Sequence, residues 1–196
     1  MVGKQAKILS DAQLNRVLRE VEISRHPDRD RVMVLLSHKA GLRAKEISGL
    51  TWDMITDADG NIGAEIALRN KASKGKNGGR HIPLNPDLRS ALVALAAKYD
   101  GKPPLDGRIA YSSKDVGLSA GSVTVWFHRL YARLGLRGAS SHSGRRTFVT
   151  RLAKTIVAKG GSLRDVQQLA GHSSLATTQR YIEGSSDAKR LAVEAL

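Results

Sequence analysis

Residues 61–86, "NIGAEIALRNKASKGKNGGRHIPLNP", decide the fold class. Apolar and polar residues alternate around Ile62, Ile66 and Leu68, which is typical of a β-strand with one buried face. A turn rich in Lys, Gly and Asn follows, and then the short run "RHIPL". This pattern predicts a β-hairpin with a loose, basic tip. Because the rest of the chain carries helical patterns, we predict a mainly α fold with a small antiparallel β-sheet (α+β).

Three helical patterns precede the hairpin. Ser10 is predicted to cap the first helix, with Gln13 three residues later in a capping box. The second pattern, residues 29–41, ends at Gly41, and the third, "RAKEISGL" (43–50), is short.

Further helical patterns follow the hairpin. The pair Asn85-Pro86 predicts a helix with proline at its first position. The run "RIAYSS" (108–113) is a candidate for one more short strand. Additional helices are predicted over residues 119–135, 144–160, 163–171 and 175–184, and a short amphipathic helix over the tail 185–196.

The composition is strongly basic. The chain of 196 residues has 32 Lys and Arg against 18 Asp and Glu, a net charge of +14. Such an excess with clear apolar periodicity indicates a domain that binds a polyanion. The alternative is a ribosomal-type or merely soluble basic protein. Aromatic residues make up only 4%, which argues against a base-stacking platform as the main binding surface.

Features that the sequence lacks exclude further classes of function. The chain has no cysteine, which excludes disulfides, thiolate zinc sites and a cysteine nucleophile. The sequence begins without the apolar segment of a signal peptide, and its apolar runs are shorter than a membrane span. We therefore expect a cytoplasmic protein that does not bind membranes.

Candidate catalytic residues occur in an ordered set. "AGLRAKEISGL" places Glu46 three residues after Arg43, so that the carboxylate could steady the guanidinium. Later motifs supply His142 with Arg145, and then His172 with Tyr181 nine residues later. Each residue alone has an ordinary explanation, such as core packing for Tyr181 or a solvated helix face for Arg43. Together they indicate phosphoryl transfer without a metal or other cofactor.

The residue types match that chemistry. Attack on a phosphodiester places negative charge on the non-bridging oxygens, and two guanidiniums can neutralise it because arginine stays charged and presents a fork of donors. A phenol is a weak nucleophile at its free pKa of about 10, so it needs a base or a positive potential. The leaving 5′ oxygen needs a proton, which a lysine on the hairpin could deliver.

In this order, the motifs "AGLRAKEISGLTW", "KASKGKNGGRHIPL", "HSGRRTF" and "LRDVQQLAGHSSLATTQRYI" resemble the tyrosine recombinases of the phage-integrase family. The resemblance covers about residues 10–183. It implies that Arg43 and Arg145 clamp the scissile phosphate, that His142 and His172 assist proton transfer and phosphate binding, and that Tyr181 becomes linked to the 3′ phosphate. It also implies double-stranded DNA as partner and a homo-oligomer, a tetramer, on DNA, and it is compatible with a monomer when the chain is free.

The hairpin lysine of the family falls near Lys74, with Lys76 and then Lys71 as alternatives. We expect the basic residues around the motifs to contact DNA, namely Lys71, Lys76, Arg80 and Arg146. The sequence departs from the family pattern at Gly144, where a larger apolar residue is common, and at Ala170, which replaces a frequent leucine.

We expect one catalytic domain over residues 1–196, with a core at about 10–183 and a tail helix at 185–196. No N-terminal helical domain that clamps DNA is visible, so the chain is expected to be either a short member, similar in size to fimbrial-switch invertases, or a catalytic fragment. Three other interpretations stay open. They are a type IB-like topoisomerase, a DNA-binding regulator with a vestigial recombinase site, and a basic helix-turn-helix factor.

Overall fold

The structure, a computed structural model, describes residues 6–72 and 79–181. The chain divides into two compact units, residues 1–148 and 149–196, and the boundary falls inside the helix Ser143–Ala158. The prediction of one catalytic domain over the whole chain stays a prediction. The predicted fold class is confirmed, because the described residues are mostly helical and contain a two-stranded antiparallel sheet.

The first unit begins with three helices: α1 (Asp11–Glu22), α2 (Pro27–Lys39) and α3 (Ala44–Gly49). The predicted capping box is present, since the backbone N–H of Gln13 donates to Ser10 Oγ and the Gln13 side chain accepts from the Ser10 N–H. Helix α2 starts at Pro27, two residues before the predicted start, because proline is well suited to the first helical position. Buried aliphatic residues from all three helices contribute to the core.

The hairpin lies next along the chain. Strand β1 (Glu65–Leu68) pairs with β2 (Arg80–Pro83) in an antiparallel register that places Ile66 opposite Ile82 and Leu68 opposite Arg80. Both isoleucines are buried, so one face of the hairpin packs on the core. The tip, residues 73–78, lies outside the described residues.

Two further helices follow, α4 (Pro86–Ala96) and α5 (Ala120–Arg133), capped by Asn85 and Ser119. The strand predicted at 108–113 is wrong. Arg108 forms an isolated bridge with Thr51, and Tyr111 forms another with Gly117. Because the segment pairs with two different parts of the chain, one residue at a time, no continuous ladder can form.

The sixth helix, α6 (Ser143–Ala158), is shared by the two units. The second unit also contains α7 (Leu163–Ala170) and α8 (Leu175–Gln179), which begin after the predicted caps Ser162 and Ser174. The prediction of a helix through Tyr181 is wrong, because α8 ends at Gln179. The Tyr181 N–H donates to the carbonyl of Thr178, which tightens the chain into a turn at this point.

The predicted tail helix at 185–196 lies outside the described residues and stays a prediction. Within residues 6–72 and 79–181, no helix is long and apolar enough to cross a membrane.

Candidate active site

The loop after α2 anchors one of the two candidate arginines. Gly41 has φ +66°, a left-handed conformation that favours glycine, and the Leu42 N–H donates back to the Leu36 carbonyl. A Cβ at Gly41 would also overlap the Phe148 ring. The Gly41 carbonyl accepts a hydrogen bond from Arg145 Nη1 at 2.7 Å, and Arg145 is only 3% exposed. The loop geometry therefore sets the position of the Arg145 guanidinium.

The same loop ends at Arg43, which directly precedes α3. The Arg43 backbone N–H donates to Glu46 Oε2 at 2.8 Å, and its Nη1 lies 2.9 Å from Glu46 Oε1. The contact expected between these residues is therefore present, but Arg43 is the N-cap of the helix rather than a residue on its face. The Arg43 side chain is 26% exposed, so a ligand can reach it.

Glu46 also binds Arg80, a residue that was predicted from the sequence to contact DNA. Arg80 Nη1 lies 2.9 Å from Glu46 Oε1 and its Nη2 lies 3.2 Å from Oε2. The Glu46 side chain is 0% exposed and the Arg80 side chain 7%. Burial raises the pKa of Glu46, but the hydrogen bonds and charges of Arg80 and Arg43 outweigh it and hold this pKa below its ordinary value.

The Arg80–Glu46 pair was missed in the sequence, although a signal for it exists. Arg80 lies two residues before the buried Ile82 in β2, so the two share the core-facing side of the strand. An arginine on that side needs a buried partner. The expectation that Arg80 contacts DNA stays a prediction, and its observed contact is with the carboxylate.

His142 lies just before α6 and close to both arginines. Partial burial lowers its pKa below the ordinary value, and the positive charges of Arg145 and Arg43 lower it further. The ring is therefore mainly neutral at neutral pH. The first unit thus brings Arg43, His142 and Arg145 into one electrostatic cluster.

The departure at Gly144 has a packing reason. A Cβ at this position would overlap the side chain of Ser37 in α2. Glycine therefore lets the first turn of α6, which carries Arg145, approach α2 closely.

The second unit brings together the other two candidates. The His172 and Tyr181 rings stack with centroids 5.5 Å apart and an angle of 19° between their planes. His172 Nδ1 lies 3.0 Å from the hydroxyl of the fully buried Thr178. Gln167 holds the His172 backbone on both sides, at 3.0 Å through its carbonyl and at 3.1 Å through its side-chain amide. The imidazole against Tyr181 is therefore fixed by two residues that the sequence did not single out, Gln167 and Thr178.

The remaining predictions concern basic residues. Lys74 and Lys76 lie outside the described residues, and Lys71 lies in the 3₁₀ turn Asn70–Ala72. Arg146 is half-buried, and its Nη1 donates to the Ala6 carbonyl at 2.8 Å. Their DNA contacts stay predictions. Among the described residues, no group of three or more His, Asp or Glu side chains could hold a metal ion.

Comparison with known protein families matches residues 7–187 to the phage integrase family. The chain belongs to this family. The resemblance stated from the motifs is thereby confirmed. Tyrosine recombinase XerC of Brucella melitensis is 32% identical to this integrase-family chain over 158 residues, which cover 78% of the chain and 45% of the relative. The chain thus spans about half the length of the curated relatives it matches.

Solved structures show the same fold. The Tn1549 transposon integrase in complex with a circular intermediate DNA superposes with a TM-score of 0.73 at 23% identity, covering 98% of this integrase-family chain and 66% of that chain. The catalytic domain of bacteriophage HP1 integrase superposes with a TM-score of 0.64 at 21% identity, covering 97% of this chain and 95% of that domain.

Proposed function

We propose that the chain is the catalytic part of a site-specific DNA recombinase, which cuts and rejoins DNA by transesterification without a metal ion. The observation that carries the proposal is the shared loop of residues 41–43, because its first residue holds Arg145 through a carbonyl and its last residue is Arg43 itself. This arrangement supports the proposal that the two guanidiniums together bind the oxygens of a single phosphate.

In the proposed reaction, Arg43 and Arg145 bind the non-bridging oxygens of the scissile phosphate. Charge on these oxygens grows as the nucleophile attacks, so the contacts strengthen in the transition state. Because arginine remains protonated at every working pH, this stabilisation does not depend on a titration.

Tyr181 supplies the nucleophile. Its phenolic oxygen forms a bond to phosphorus while the bond from phosphorus to the 5′ oxygen breaks, leaving a 3′-phosphotyrosine and a 5′-hydroxyl. Neutral His142 is the proposed acceptor of the phenolic proton, and stacked His172 orients the tyrosine and binds phosphate. A hairpin lysine, Lys74 or Lys76, is the proposed donor to the leaving oxygen. The 5′-hydroxyl of another strand reverses the steps, so the phosphodiester bond is conserved and no ATP is consumed.

The proposed partner is double-stranded DNA. The net charge of +14 supports this partner, and so does the structural similarity to the Tn1549 integrase, which was solved in complex with DNA. Strand exchange needs two cuts on each of two duplexes, so we propose a homo-tetramer on DNA. We also propose a cytoplasmic location.

The test uses a nicked duplex that carries the sequence selected by this chain from a random DNA library. The chain should form an adduct stable to heat and detergent, with and without EDTA. Tyr181→Phe should bind the same DNA and form none. An adduct with the phenylalanine variant, or an absolute need for Mg²⁺, would overturn the proposed chemistry. Relaxation of supercoiled DNA without exchange between two sites would point instead to a topoisomerase.

A further inference from the structure

Arg80 stands at the junction between the hairpin tip and the candidate site. It is the first residue of β2 and follows the tip that carries Lys74 and Lys76. Its guanidinium reaches back across 34 residues of sequence to bind both oxygens of Glu46. A planar guanidinium on a carboxylate fixes distance and orientation together, which a single point charge does not.

Glu46 transmits this contact to Arg43. Its Oε1 lies 2.9 Å from Nη1 of each arginine, and its Oε2 accepts from the Arg43 backbone N–H. The carboxylate is fully buried whereas the Arg43 side chain is 26% exposed. Movement of the buried carboxylate therefore shifts both the backbone start of α3 and the exposed guanidinium.

We infer that Arg80 is a positioning residue for Arg43: through Glu46 it links the start of β2, and with it the hairpin, to the arginine clamp. This inference rests on the proposed function. The link depends on the pairing register of β1 and β2. A shift of one residue in the β1–β2 pairing turns Arg80 to the opposite face of the hairpin, away from Glu46. The clamp is thus complete only when the hairpin is paired correctly.

Arg69 offers a matched control on the other arm of the hairpin. It follows the last residue of β1, and its Nη1 lies 2.6 Å from Asp53 Oδ2. Its side chain is 60% exposed, against 7% for Arg80. Arg69→Gln and Arg80→Gln remove the same charge at the two ends of the tip, but only the second leaves Glu46 without its bidentate partner.

The experiment measures single-turnover adduct formation and DNA affinity on the selected nicked duplex. Arg80→Gln should slow cleavage by about 10- to 100-fold, the usual cost of a misplaced catalytic group, while DNA affinity changes little. Arg69→Gln should keep the wild-type rate. Arg80→Lys should recover part of the loss, because it restores the charge without the fork.

A double-mutant cycle tests whether Arg80 acts through Glu46. The variant Arg80→Gln/Glu46→Gln should be no slower than Glu46→Gln alone, since each change breaks the same link. Rates that multiply would overturn the inference. So would a weaker affinity with an unchanged rate and a smaller salt dependence, because these mark a direct phosphate contact. Should Arg80→Gln not fold, the double variant, which leaves no unpaired buried charge, is compared with Glu46→Gln by the same criterion.

A second readout separates this inference from the proposed function. The ¹⁵N NMR signal of Arg43 Nε–Hε should move in Arg80→Gln and stay in place in Arg69→Gln. If no duplex gives an adduct with the wild-type chain, the proposed function fails and this signal still decides the link. An unmoved Arg43 signal in Arg80→Gln overturns the inference.

Discussion

Replacing Gly41 by alanine should destabilise the first unit for two separable reasons. Alanine at φ +66° costs about 1–2 kcal/mol, since its Cβ approaches the following carbonyl. The new methyl also overlaps the Phe148 ring, and crowding of this kind in a packed core costs about 1–3 kcal/mol. We therefore expect a total of about 2–5 kcal/mol.

Gly135 isolates the backbone contribution. It has φ +65° just after α5, and among the described residues beyond its two chain neighbours no heavy atom lies within 4 Å of the Cβ that alanine would add. Gly135→Ala should therefore cost only about 1–2 kcal/mol. The assay is urea unfolding followed by circular dichroism, with the midpoint and slope compared for both variants. Equal destabilisation by the two substitutions would show that the overlap with Phe148 is relieved at no cost, and would refute the reasoning.

The other predictions concern pH and the stacked ring pair. Because the pKa of Glu46 is lowered in the folded state, its stabilising contribution is present above about pH 4.5 and is lost as pH falls through the lowered pKa. In urea unfolding from pH 3 to 7, Glu46→Gln should therefore lose less of its free energy of unfolding at acid pH than the wild-type chain does. Parallel pH curves for the two proteins would contradict this. The pKa of His142 is also lowered in the free chain, so the acid limb of the cleavage rate at sub-saturating DNA should be centred below pH 6.5, and a midpoint above that value would contradict the lowered pKa. Thr178→Val removes the hydroxyl beside His172 Nδ1 and should slow cleavage by about tenfold or more while DNA binding is kept, whereas an unchanged rate would show that Tyr181 does not depend on this contact.

The features predicted correctly from the sequence are those specified by nearby residues. The capping box at Ser10 involves a partner three residues away, and the hairpin strands show their alternation within a few residues. The contact of Arg43 with Glu46 is equally local. Signals of this range are complete in the sequence itself.

The features that were missed depend on distant partners. The segment at 108–113 reads as a strand, yet the segments it meets supply one pairing residue each. In the sequence, Arg80 has the pattern of a surface charge. In the structure, the hairpin register places it against the carboxylate of Glu46, 34 positions earlier. The helix before Tyr181 ends early because a turn bond forms at Thr178, and the helical spacing of the apolar residues gives no sign of that bond.

The loop at Gly41 also affects how relatives of this chain should be judged. A check restricted to the two arginines, the two histidines and the tyrosine leaves out the glycine at position 41. Yet that glycine sets the carbonyl that holds one arginine and leads the backbone to the other. A relative with a mutation in this one codon can therefore lose both arginine contacts although all the candidate catalytic residues are still present. Gly41 is the position to inspect first when an apparently intact relative is inert.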